Sequence, residues 1–276
     1  MRTLRVCALY PDLMNIYADR GNLLVLQRRC AWRGIGFELT ACGLGQVLDP
    51  EALYDLYYLG GGQDRDQKLC AEDLVRLKRE GLHAAAAGGA VVLGVCGGYQ
   101  LLGRSYELGP DEELPGVGLL DVRTVREDGP RLIGNVAIEV ALGSGGNGPV
   151  IGESGSVSSG RRVPALASPA GAVSQRVLAG FENHGGRTYL GAAQQPLGRV
   201  LEGYGNNGHS GYEGARSGSV IGTYLHGPLL PKNSWFADWL IASALRLDRS
   251  KLASLDDALE HVAHRDARRA AGTVKT

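Results

Sequence analysis

A chain of 276 residues, 44% hydrophobic and 21% charged, is long enough to bury a core without a metal or disulfide staple. That composition, with 29 basic residues balanced by 29 acidic ones, argues against a disordered chain and against a general nucleic-acid binder working through a basic surface. The N-terminus, MRTLRVCALYPDL, has neither a long apolar core nor a small-residue cleavage site, and no later run reaches bilayer-spanning length, so a cytoplasmic protein is expected.

Short apolar runs alternate with helical patterns, the signature of a parallel sheet with crossover helices. Leu4 to Leu9 reads as the first strand. Asn15 to Trp32 follows at helical spacing and ends at Gly34 and Gly36, and Phe37 to Thr40 is a second strand. Asp55 to Leu59 is a third, running into Gly60, Gly61 and Gly62. Arg65 to Ala87 favours a helix with Leu69, Leu74, Val75, Leu77 and Leu82 as its buried stripe. Ala90 to Val95 suits a central strand buried on both faces, and Gly97 to Leu102 opens the next helix. Beyond it the pattern becomes β-rich, with strands expected at 118–124, 133–142, 177–181, 199–204 and 220–224. Ser234 to Leu247 and Leu255 to Ala271 read as closing helices, the second heavily charged.

Much of the excess among the 42 glycines falls in GSGGNGPVIGESGSVSSGRRVPALASPAGAVSQ, which has no apolar period and is read as a flexible insertion over about 143–176. The 5 cysteines form no CxxC pair and no Cys/His ligand cluster, so no metal site is expected. Cys7, Cys30, Cys42 and Cys70 read as small buried hydrophobes. Cys96 differs. In VVLGVCGGYQLLG a buried strand ends at this cysteine and two glycines precede the helix, so its sulfur sits on a tight strand-to-helix turn of the nucleophile-elbow kind. Helix-terminal amides there are expected to lower its pKa.

A thiolate that attacks a carbonyl needs a base and then an acid, which suits histidine. His226 ends the strand-like run VIGTYLHG at the same sheet edge as Cys96, and His184 in FENHGGRTY is its rival. His83, His209, His261 and His264 read as solvated. Backbone N–H groups of the 60–62 glycines, Gly61 and Gly62 foremost, could form an oxyanion hole with Gly97, although a permissive turn explains them equally.

These residues resemble the glutamine amidotransferase domains of the cobyric acid synthase type, a branch of the class I Cys-His glutaminases. NIYADRGN (15–22), YLGGGQDRDQ (58–67), GFENHGGRTYLG (180–191), GYGNN (203–207) and GTYLHGPLLPKN (222–233) narrow the resemblance to the glutaminase subunits of lipid II isoglutaminyl synthases, the GatD family. The resemblance implies a flavodoxin-like α/β fold: a mostly parallel sheet flanked by helices, with a β-rich second half. It also implies an amidotransferase domain over 1–247, leaving 248–276 as a charged helical extension. Cys96 and His226 would hydrolyse L-glutamine, with Arg131 of PRLIGNV holding the substrate carboxylate and Gln100 also binding substrate. No cofactor is implied in this chain. ATP and Mg would belong to a MurT-like Mur ligase partner in a heterodimer, which would use the ammonia to convert the D-glutamate of lipid II to D-isoglutamine. Many class I glutaminases carry a carboxylate two residues after the histidine, where this chain has Pro228. Asp19 or a carboxylate of the partner could replace it. An amidotransferase of corrinoid synthesis and a catalytically idle regulatory subunit are the competing readings.

Overall fold

The computed structural model describes residues 2–16, 19–52, 54–142 and 174–274. Most of the expected Gly/Ser-rich insertion, residues 143–173, lies outside them. Among the described residues the chain forms a six-stranded sheet and two four-stranded sheets.

The large sheet is built from β1 (Thr3–Leu9), β2 (Gly36–Cys42), β3 (Leu56–Leu59), β4 (Val91–Val95) and, far along the chain, β14 (Val220–Thr223). These five strands pair in parallel in the order β2, β1, β3, β4, β14, the flavodoxin-like order, and the short β13 (Ala215–Ser217) closes one edge antiparallel. Every residue of β3 (LYYL) and β4 (VVLGV) is buried, as continuous apolar runs in a sheet covered on both faces require. In this topology ligands gather at the carboxyl ends of the strands, where chain order reverses. Gly60–Gly62, Cys96 and His226 all lie just beyond such ends.

Helix α1 (Arg20–Ala31) starts five residues later than its apolar spacing suggests, and Asn15 Oδ1 accepts from the Arg20 amide at its start. The expected helix at 65–87 is α2 (Asp64–Asp73) and α3 (Arg79–Ala87) joined by a π-helical turn at Leu74–Lys78. The wide turn shifts the buried face, so that Leu69 is 51% exposed while Lys78 is fully buried. Lys78 is neutralised by an ion pair with Asp73, a hydrogen bond to the Gln46 carbonyl and the face of Tyr10. Helix α4 (Gly97–Leu102) follows Cys96 directly.

The second half is β-rich as expected, with more strands than the sequence signals. One sheet is ordered β10 (Gly186–Leu190), β7 (Val122–Arg126), β5 (Ser105–Gly109), β6 (Glu112–Pro115). The other is ordered β12 (Tyr212–Glu213), β11 (Gly198–Glu202), β8 (Leu132–Leu142), β9 (Ser174–His184). Residues 174–176, the end of the expected insertion, belong to β9 and pair with β8.

Helices α5 (Ser234–Ala244) and α6 (Ala258–Ala270) complete the chain. The buried Arg29 of α1 grips Asp238 of α5 and Asp257 beside α6 at once. His264, read as solvated, is half-buried and bonds the Lys232 carbonyl through Nδ1, which docks α6 on the body.

Candidate active site

Cys96 has φ 52°, one of three non-glycine residues at positive φ among those described. Such strain persists where surrounding structure holds it. Here the Cys96 amide donates to Thr223 O of β14, and the Gly98 amide to Gly60 O. A Cβ at Gly98 would lie 2.1 Å from Leu59 O, so the elbow packs against the end of β3 at a distance only glycine allows.

Cys96 opens into a cavity of about 270 Å³ lined also by Gly62, Asp64, Gln67, Gln100, Tyr106, Arg131 and His184. Arg131 is anchored by Asn183 through Nε to Oδ1 (2.8 Å) and Nη2 to the carbonyl (2.9 Å). Gln100 donates to the Tyr224 hydroxyl at 3.2 Å. The cavity thus gathers a nucleophile from the end of β4, a guanidinium from just before β8 and a primary amide from α4.

The glycine loop is more committed than its sequence suggests. Gly61 N donates to Asp19 Oδ2 at 2.7 Å, Gly61 O accepts from Ile16 N, and Gly62 O accepts from Gln67 Nε2. Gly61 is therefore not an oxyanion donor in this conformation: its N–H is spent on a buried carboxylate. The amides that remain beside the sulfur are those of Gly62, 3.0 Å from where a Cβ of Gly97 would stand, and of Gly97, which interacts with the Cys96 sulfur itself.

Asp19 likewise departs from expectation. It makes no side-chain cap on α1, its Oδ1 has no hydrogen-bond partner, and neither oxygen pairs with His226 among the described residues. Its work is to hold the glycine loop. Burial pushes its carboxyl up to about 7, against the opposing Gly61 amide.

His226 is fully buried just past β14, two residues beyond the Tyr224 that follows the strand pairing with β4. Its backbone exchanges hydrogen bonds with Phe181 of β9, and its ring meets the Phe181 ring edge-on. It stands behind the cavity wall and is not among the lining residues. The rival His184 does line the cavity, yet both its nitrogens face the protein: Nδ1 meets Gly186 O at 2.8 Å and Nε2 lies 3.6 Å from Glu182 Oε2. Its ring stacks on Tyr224 at 3.6 Å. His184 thus forms part of the cavity wall, with Nδ1 held by Gly186 O, and His226 stands behind it.

Burial pushes the Cys96 thiol up to about 12, with the negative charge of Asp19 adding and the Gly97 amide and Arg131 opposing. The lowered pKa expected from the helix terminus is thus overturned, since α4 spans only 6 residues and desolvation outweighs its amides. Burial also pushes His226 down to about 4, helped by the neighbouring His184, Lys232 and Arg131. The resting pair is a neutral thiol and a neutral imidazole. The imidazole can accept a proton only as a substrate arrives, which is general-base activation.

Residues 5–234 match the family model of the CobB/CobQ-like glutamine amidotransferase domain. The chain belongs to that family. It is accordingly a glutamine-hydrolysing amidotransferase. The chain is 34% identical over 244 residues to the lipid II isoglutaminyl synthase (glutamine-hydrolysing) subunit GatD of Staphylococcus aureus, covering 88% of this chain and 85% of the relative. Identity to the GatD subunit of Streptococcus pneumoniae is 32% over 243 residues, 88% and 81% of the two chains. The cobyric acid synthase of Pelotomaculum thermopropionicum is 37% identical over 171 residues, which span 58% of this chain but 28% of that enzyme. In fold, the amidotransferase is similar to a solved structure of PurLQS from Thermotoga maritima (TM-score 0.52, 19% identity, 89% of this chain and 96% of the other).

Gln67 and Tyr106 were not singled out from sequence. Gln67 could have been found, since it follows Gln63 by one helical turn in YLGGGQDRDQ. Tyr106 sits on β5, whose alternating pattern in SYELG runs for only five residues.

Proposed function

We propose that this amidotransferase is the glutaminase subunit of a lipid II isoglutaminyl synthase. It would deliver ammonia to a MurT-type Mur ligase that binds ATP and Mg and amidates the D-glutamate of lipid II to D-isoglutamine. The observation that carries this reading is the extent of similarity: GatD subunits match over 88% of this chain and more than four-fifths of their own length, whereas the cobyric acid synthase match spans 28% of that enzyme. Consumption of ATP by the partner assigns the reaction to the cytoplasm.

In the proposed reaction Arg131 holds the glutamine carboxylate and the side-chain amide lies against Cys96. His226 takes the thiol proton as sulfur attacks the amide carbonyl, and the Gly62 and Gly97 amides hold the oxyanion. The imidazolium then gives its proton to the leaving nitrogen. Ammonia departs, leaving a γ-glutamyl thioester, and water activated by the same imidazole releases glutamate and restores the thiol. Pro228 where a carboxylate is common, and Asp19 engaged by the glycine loop, favour a partner carboxylate as the group that orients His226.

The test is kcat for glutamine hydrolysis with and without the ligase. The partner is expected to accelerate it, and to lose that effect when an acidic residue facing His226 is replaced. Equal rates in both states, with a strong loss in Asp19→Asn alone, would contradict the shared site.

A further inference from the structure

Among the described residues, two of those lining the cavity are Asp, Glu, Lys or Arg: Arg131 and Asp64. Free glutamine presents the complementary pair, an α-carboxylate and an α-ammonium on one carbon, two methylenes from the amide that reacts. With the carboxylate given to Arg131, the ammonium needs an anionic or carbonyl acceptor within the same space.

Asp64 meets that need by position. It is the first residue of α2 and follows the glycine loop after one residue, so it is fixed to the segment that carries the Gly62 amide. Its Oδ2 accepts from Arg126 Nη2, which also lies 3.4 Å from the Tyr106 hydroxyl. Its Oδ1 has no hydrogen bond among the described residues, and the side chain is 42% exposed. Opposite charges of Asp64 and Arg131 both reach the Cys96 sulfur, the first raising and the second lowering its hold on a proton. The nucleophile therefore shares its cavity with one cationic and one anionic side chain, as the γ-amide of a bound zwitterion would require.

We propose that Asp64 binds the α-ammonium group of the substrate and makes the site selective for free glutamine over amides that lack this group. The proposal rests on the glutaminase reading. Arg126 is the positioning residue: it holds Oδ2 and leaves Oδ1 for the ligand. A purely structural Asp64, favoured at a helix start by the macrodipole and tying α2 to β7 through Arg126, would serve all substrates alike.

The experiment compares L-glutamine with glutaramate, the same amide without the α-ammonium, using the full chain with its ligase partner. Asp64→Asn is expected to raise KM for glutamine roughly 10- to 100-fold, the range for losing a hydrogen bond to a charged group, with kcat little changed. The kcat/KM for glutaramate should stay as in the wild type, so the preference for glutamine collapses. Asp64→Glu should restore part of it, which controls for folding. Equal losses on both substrates would overturn the proposal while leaving the glutaminase reading intact. A wild-type complex that hydrolyses neither amide would overturn both.

Discussion

At Cys96 the backbone adopts φ 52° and the thiol is pushed up to about 12, so geometry rather than a standing thiolate prepares the nucleophile. Alanine accepts the same backbone no worse than cysteine does. Cys96→Ala should therefore fold with wild-type cooperativity while glutamate release falls by about 10⁴-fold or more, as a glutaminase assay and a thermal melt on one preparation will show. His226→Ala should be similarly inactive, and His184→Ala should retain measurable turnover because its Nδ1 is held by Gly186 O and its ring stacks on Tyr224. Asp19 offers a pH test. Its folded carboxyl titrates at about 7 against 3.8 when unfolded, so the folded chain keeps a proton that the unfolded chain has released between those values. Its contribution to stability is full below about 3.8 and is lost as pH rises toward 7. His226, lowered from 6.5 to about 4, acts in the opposite sense, losing its contribution as pH falls through that window. The Tm of Asp19→Asn relative to wild type should therefore rise steadily from pH 4 to 7, and parallel Tm curves would contradict the burial argument. Cys96 and Arg131 were legible because their residue types and local motifs announce chemistry. The commitment of Gly61 to Asp19 was not, because it joins residues 42 positions apart.

Among the elements, strands buried on both faces were the easiest to read, since β3 and β4 are short continuous apolar runs between turn signals. The helix at 64–87 was misread in phase: a π-turn inserts an extra residue into the period, which exposes Leu69 and buries Lys78 with its counter-charge Asp73. Strands β6 and β10 are hard to read because the period-2 apolar pattern is weak in EELP and GRTYL, and β5 because its alternation in SYELG runs for only five residues. The charged ends of the chain were also more structured than composition implies. Arg29 links α1, α5 and the start of α6 through bidentate bonds to two aspartates. Arg29→Met should cost about 3–5 kcal/mol in urea unfolding, because it leaves two partly buried carboxylates without their shared cation. A loss under about 1 kcal/mol would mean that Arg33, which also reaches Asp238, suffices.

Taken whole, the molecule places three loops from distant parts of the chain at one edge of a parallel sheet: the glycine loop after β3, the elbow after β4 and the segment after β14. One of the smaller sheets brings Arg131 and His184 to the cavity at that edge, and the other brings Tyr106. This order follows from the βαβ pattern, which is why the fold class could be read from the chain, whereas the packing of the small sheets depends on pairings between segments more than 30 residues apart. The central claim concerns where nitrogen goes. Purified chain, a Mur ligase partner, ATP, lipid II and glutamine labelled with ¹⁵N in the side-chain amide should yield D-isoglutamine carrying the label, read by mass spectrometry of the stem peptide. Cys96→Ala should give no labelled product while still supporting amidation from added ammonium. Unlabelled product from the wild-type mixture, or equal labelling with Cys96→Ala, would contradict the account.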